Sequence, residues 1–293
     1  SPGPEYLATA IGNNHCDVGP VSICIYQLRN PDSYIKQHLL CLNLDHWAIS
    51  ALNYPAASTR FTVNCNPMHR QGDTTLALAI FDLDETLISG DSDHAWGEFL
   101  ISKGLVDEVS HRQKNDAFYG QYKRGELDVH AYLRFACQAL TEHAFDHLCA
   151  LRTEFVRDFI QPLLLTQASA LIEHHRSLDD KLLVVTATLE FITEPIVALL
   201  GIDELIAPIP ERIGDRYTGE IVGIPSFGPG KVTRLQAWLA GTEFDLKGSY
   251  FYSDSANDLP LLELVDHPVA VDPDPRLREI AERRQWSIIS LRD

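Results

Sequence analysis

Residues 76–86, Leu-Ala-Leu-Ala-Ile-Phe-Asp-Leu-Asp-Glu-Thr, restrict the fold more than any other stretch. Leu76 to Phe81 form an unbroken apolar run that ends in a polar turn, the pattern of a strand buried on both faces of a parallel sheet. Asp82, Asp84 and Thr86 follow at its carboxyl end. In open α/β sheets the ligand crevice lies outside the carboxyl ends of the strands. Side chains two apart in an extended chain point the same way, so two carboxylates face one crevice. Like charges held close repel, and a hard divalent cation such as Mg2+ relieves the repulsion. The structural alternative is an Asx turn closing the strand, with Thr86 capping the next helix.

The stretch after this strand reads as helical. Ser92 or Asp93 is expected to cap a helix beginning near His94. Amphipathic helices are then expected over Val109–Tyr122, Val129–Leu140, Glu142–Phe159 and Leu163–Arg176. The α/β pattern returns with strands at Leu182–Val185, Leu205–Ile209, Ser249–Tyr252, Val269–Val271 and Trp286–Ile289. A hairpin over Glu211–Val222 and helices at Glu190–Leu200, Val232–Leu239, Leu259–Leu264 and Pro275–Arg284 alternate with them. Such alternation calls for an α/β fold with a parallel sheet. The expected division is a core of 68–89 and 178–293 with a helical insertion at 90–177.

Several of these strands end in reactive groups: Asp82 and Asp84, then Thr186, then Asp254 and Asp258, with Lys231 opening a helix. In a parallel sheet these ends share one edge. The set suits phosphoryl transfer, which needs positioning and charge neutralisation. Asp82 is the candidate nucleophile, forming an aspartyl-phosphate. Asp84 is the candidate general acid and base. Mg2+ would bridge Asp82, Asp254 and a phosphate oxygen. The Thr186 hydroxyl would donate to the phosphate and Lys231 would add a point charge. Asp258 would hold Lys231 or a metal-bound water. Thr188 and Asn257 are expected at the substrate. Arg134 is a candidate for a substrate carboxylate, with an exposed salt-bridging arginine as the plainer alternative.

The D-L-D-E-T of 82–86, V-V-T of 184–186, G-K of 230–231 and S-D-S-A-N-D of 253–258 resemble the haloacid-dehalogenase-like phosphatase superfamily. The helical insertion between the first and second motifs is similar to its C1-type cap. The chain looks like subfamily IB, which includes phosphoserine phosphatases and related histidinol-phosphate phosphatases. Residues 90–100 and 251–262 look most like the bacterial group labelled histidinol-phosphatase. The resemblance spans 76–293 and none of 1–67. It implies a Rossmann-like core, Mg2+ dependence and a main-chain carbonyl of Asp84 in the metal shell. Phosphoserine phosphatases carry Glu at the position matching Asp91, where it meets the substrate's amino group, and G-D-G where this chain has Ser253-Asp254-Ser255. They also carry Ser-Gly-Gly where this chain has Thr186-Ala187-Thr188. These departures favour a larger amino-alcohol phosphate over phosphoserine. The expected activity is phosphomonoester hydrolysis of L-histidinol phosphate, with phosphoserine second. Phosphotransfer to another acceptor and a catalytically silent binding module are the rival readings.

Charge and cysteines bound the partners. The formal net charge of −17 excludes a nucleic-acid groove as the natural role and leaves a small phosphorylated metabolite as the expected partner. No apolar run has transmembrane length, and the six cysteines contain no C-x-x-C pair. The expected setting is a reducing cytoplasm; the oligomeric state is not legible. Four cysteines, Cys16, Cys24, Cys41 and Cys65, fall in residues 1–67, where no period is sustained. That segment is expected to be a weakly structured extension or translated upstream sequence before Met68. Trp96 and Phe99 are expected either at the substrate or in the cap core. His143 with His147, and His174 with His175, read as solvated helix faces.

Overall fold

The computed structural model describes residues 76–292. The readings placed on 1–67, including its four cysteines, lie outside the described residues. β1 (Leu78–Phe81) is the apolar run of the first motif, and all four residues are buried. Leu78, Ile80 and Phe81 each gain about 1.5–3 kcal/mol on leaving water, and Ala79 less. Five helices follow: α1 (Ser92–Ser102), α2 (Glu108–Arg124), α3 (Val129–Thr141), α4 (Phe145–Phe155) and α5 (Thr166–Ser177). The sheet resumes with β2 (Lys181–Val185), α6 (Glu190–Leu199) and β3 (Glu204–Ile206). A hairpin comes next, β4 (Ile209–Ile213) with β5 (Arg216–Val222). The chain closes with α7 (Pro229–Leu239), β6 (Tyr250–Ser253), α8 (Leu259–Leu262), β7 (His267–Val271), α9 (Pro275–Arg284) and β8 (Ser287–Ile289).

The main sheet has six parallel strands in the order β3-β2-β1-β6-β7-β8. β1 therefore lies between the two strands whose ends carry the other motifs. Strand residues alternate between two apolar clusters, as a pleat demands. Leu78, Ile80, Leu183, Val185 and Phe251 face α7, α8 and α9. Ala79, Phe81, Leu182, Val184 and Tyr252 face the other way, into a cluster continuous with the core of the inserted helices. Trp96 stacks on Phe99 at 5.3 Å and meets Phe155 and Phe191 edge-on, so α1 and α4 are joined to α6 by aromatic contacts.

Several expectations are corrected. Asp91, not Ser92 or Asp93, caps α1, because its carboxylate accepts the N–H groups of Asp93 and His94. The helix expected over 142–159 ends at Phe155 and passes through a π-turn at Val156–Ile160. His175 is buried: Nδ1 lies 2.8 Å from Asp180 and Nε2 lies 2.7 Å from the Tyr252 hydroxyl. Only its neighbour His174 is solvated. The two rings of His143 and His147 lie 5.2 Å apart. Among the described residues no helix is long and apolar enough to cross a membrane.

Candidate active site

The sheet's carboxyl edge assembles the motifs. The Asp82 N–H donates to the Tyr252 carbonyl at 2.9 Å, so the β1–β6 ladder continues one residue past β1 and fixes that backbone. Asp82 is 7% exposed. Lys231, 2% exposed, places Nζ 2.7 Å from Asp82 Oδ1 and 2.7 Å from Asp258 Oδ2. The Ser253 hydroxyl donates to the same Asp258 oxygen at 2.8 Å. One ammonium is thus shared by two buried carboxylates. Burial alone would lower the Lys231 pKa; the charges of Asp258 and Asp82 outweigh it and hold the ammonium above its ordinary value.

Lys231 reaches this position because α7 starts in a tight turn. Gly228 has φ 50°, and a Cβ on Gly230 would stand 2.0 Å from the Pro225 carbonyl oxygen. Gly230→Ala is therefore expected to push the turn away and cost about 2 kcal/mol or more, read as a lowered melting temperature, with loss of activity because Lys231 moves. An unchanged melting temperature would show that the turn has slack.

Asp84 sits one turn further on. Oδ1 accepts the Ser92 N–H at 2.6 Å, at the start of α1, and Oδ2 accepts the Thr188 hydroxyl at 2.8 Å. The Thr186 hydroxyl stands 3.5 Å from Asp84 and accepts the Thr188 N–H. Burial, then the charge of Asp91, pushes the Asp84 carboxyl up to about 7. Asp82 is raised to about 6, chiefly by burial. Asp254 is raised well above its ordinary value by burial and by the charge of Asp82. Thr86 is fully buried and ties the first motif to the third: it donates to Asp254 Oδ1 at 3.3 Å and accepts the Asp254 N–H at 3.1 Å.

A cavity of about 580 Å³ opens over these groups. Asp82, Asp84, Thr186, Thr188, Lys231, Asp254, Asn257 and Asp258 all line it, and so does Asp91. Arg134 is not among the lining residues; it is exposed on α3. Trp96 and Phe99 are core residues rather than lining. Sequence reasoning missed the bracing around the lining residues. The Tyr122 hydroxyl of α2 donates to Ser255 Oγ at 2.9 Å, and Asn257 Nδ2 donates to the Tyr122 carbonyl at 3.4 Å. The signal available was weak, since nothing in local periodicity says that α2 meets the loop after β6.

The donor set fits a hard divalent cation. Burial and then the charge of Asp82 raise the Asp254 pKa, and the Lys231 ammonium is already divided between Asp82 and Asp258. Among the described residues no three His, Cys, Asp or Glu side chains group as a metal cluster. Two carboxylates and a main-chain carbonyl do not require one, because Mg2+ keeps several waters.

Known proteins resemble this chain in sequence and fold. A family model described as haloacid dehalogenase-like hydrolase matches residues 79–263. Over 219 residues the chain is 43% identical to a histidinol-phosphatase of Neisseria meningitidis serogroup C (strain 8013), spanning 73% of this chain and 99% of that protein. It is 29% identical over 219 residues to phosphoserine phosphatase SerB1 of Mycobacterium tuberculosis, spanning 74% and 71%. Among solved structures, a protein of unknown function from Bordetella pertussis Tohama I is 45% identical with a TM-score of 0.70, over 74% of this chain and 99% of that one. A substrate-bound phosphoserine phosphatase shares the fold at 19% identity with a TM-score of 0.54, over 75% and 95%. A parallel six-stranded sheet with an inserted helical cap, and a family match over most of it, make the chain a member of the haloacid dehalogenase-like hydrolases, an enzyme of the phosphatase type.

Proposed function

We propose that the chain is a Mg2+-dependent phosphomonoesterase that works through an aspartyl-phosphate on Asp82, with L-histidinol phosphate as substrate. The observation that carries the mechanism is the pairing of two carboxylates with opposite tasks at one sheet edge. Asp82 is held against an ammonium at 2.7 Å, which favours its ionised, nucleophilic form. Asp84 is pushed up to about 7 and holds its proton near neutrality. Attack by an Asp82 oxygen on phosphorus breaks the bond to the alcohol oxygen, and Asp84 gives that oxygen its proton. Asp84 then takes a proton from the water that attacks the phosphoryl-aspartate, which frees phosphate and restores Asp82. Lys231 and Thr186 stabilise phosphate oxygens, and Asp258 positions Lys231. Mg2+ held by Asp82, Asp254 and the main-chain carbonyl of Asp84 would supply charge neutralisation and Lewis acidity. The substrate assignment rests on the relative that is 43% identical. Phosphate release from L-histidinol phosphate and from phosphoserine, with MgCl2 and with chelator, tests the reading. Release that ignores the chelator would defeat the metal dependence.

The raised carboxylates also give a pH prediction. Their folded pKa values, about 6 for Asp82 and about 7 for Asp84, exceed the ordinary value, so the folded protein holds protons that the unfolded chain has released. Their contribution is most favourable at low pH and is lost as pH rises from about 4 to about 7. A divalent cation competes with those protons. MgCl2 is expected to raise the melting temperature by about 5–10 °C at pH 7.5 when present at about a hundred times Kd, and by clearly less at pH 5. Equal shifts at both pH values would place the cation elsewhere.

A further inference from the structure

The cavity's floor belongs to the loops of the sheet, and its roof has a chemistry of its own. Asn115, Phe118, Tyr119 and Tyr122 of α2 all line the cavity. Their spacing, i, i+3, i+4 and i+7, is one face of a helix. An aromatic stripe of this kind normally packs into a core. Here Tyr119 is 45% exposed, and Phe118 and Tyr122 are only half-buried. α3 adds Tyr132, which also lines the cavity and meets Phe118 edge-on at 5.4 Å. The ring surface of two cap helices is therefore turned onto an opening that already holds the phosphate chemistry at its other end. At about 580 Å³ the cavity falls within the range of about 300–1,000 Å³ that suits drug-sized ligands, more room than a three-carbon alcohol fills.

We propose that Phe118, Tyr119 and Tyr132 form a ring-binding wall that makes the enzyme select phosphate monoesters whose alcohol carries a flat aromatic or heteroaromatic ring. This rests on the phosphomonoesterase reading. Aromatic faces take a planar ring by offset or edge contact, and each such contact is worth about 2- to 10-fold in affinity. An open-chain alcohol has nothing to place against them.

The test compares kcat/KM for L-histidinol phosphate and for O-phosphoethanolamine. The wild type is expected to favour the ring ester by about 10-fold or more. In the double variant Phe118→Leu/Tyr132→Leu that ratio is expected to fall about 10-fold, through KM of the ring ester. Inhibition by inorganic phosphate reports the other end of the cavity and is expected to stay within about twofold. Phe118 and Tyr132 pack on one another, so Tyr119→Ser at the exposed edge gives a second measure, a ratio lowered about 2- to 5-fold with inhibition by inorganic phosphate again within about twofold. A wild type that prefers the open-chain ester, or variants that lose both esters equally while phosphate inhibition holds, would overturn the wall. Failure of the underlying reading looks different: the wild type would release no phosphate from either ester or from a generic aryl phosphate.

Discussion

Asp82→Asn is expected to lower phosphate release by about four orders of magnitude or more while leaving the protein folded. The amide keeps the size and shape of the carboxylate but cannot supply the electron pair that captures the phosphoryl group. Stability moves the other way. The Asp82 carboxyl is raised to about 6, chiefly by burial, so although it is ionised at pH 7.5 its charge costs more in the fold than in the unfolded chain. Replacing it with a neutral isostere is expected to leave the melting temperature at pH 7.5 unchanged or slightly higher. The two outcomes together separate a chemical defect from a folding defect. Mass analysis of acid-quenched enzyme should show a phosphoryl group on the peptide carrying residue 82 in the wild type and none in the variant. A variant that keeps a tenth of the activity would remove the covalent step.

Lys231→Met is expected to damage both function and fold. The ammonium is the shared partner of Asp82 and Asp258, each at 2.7 Å, and all three groups are buried. Removing one member of a buried ion pair typically costs about 3–5 kcal/mol, because the remaining charges lose their compensation. The cost depends on pH. Without the lysine the Asp82 carboxyl is raised further above its unfolded value, so its stabilising contribution is confined to low pH. The loss is expected to be smallest near pH 5 and to grow as pH rises through neutrality. Denaturant titrations at pH 5 and pH 8 measure it; equal losses at both would mean that the lysine acts by packing alone. Activity should fall about 1,000-fold at any pH where the variant is folded, since the charge facing the phosphate is lost.

The floor of the site was legible because its residues obey a topological rule. A short apolar run followed by carboxylates specifies a strand end, and a parallel sheet gathers such ends on one edge. Asp82 and Asp254 needed nothing more to be placed together, while Lys231 depends also on the turn that opens α7. The roof obeys no comparable rule. Phe118, Tyr119 and Tyr122 fell in a stretch that read only as an amphipathic helix, yet they line the cavity, whereas Trp96 and Phe99, which read equally well as lining, are core. Periodicity states that a helix has an apolar face; it does not state whether that face meets another helix or an empty space. His175 shows the same gap in reverse. Beside His174 near the end of a polar helix it looked solvated, yet contacts with Asp180 and Tyr252, one of them 77 positions away, bury it. The α1 cap expected at Ser92 or Asp93 falls at Asp91, because Asp, Ser and Asp in succession are all good caps and only geometry chooses among them.

The order of the strands has a consequence for biosynthesis. β1 is among the first described segments to be made, yet its neighbour β6 pairs Tyr250 with Ala79, about 170 residues later. At translation rates of about 5–20 residues per second, that interval lasts roughly 10–30 s. β2, which pairs Lys181 with Leu78, follows about 100 residues after β1, so a strand with no polar side chain first waits alone and then keeps one edge open until β6 arrives, which makes the nascent chain a natural client for holdase chaperones.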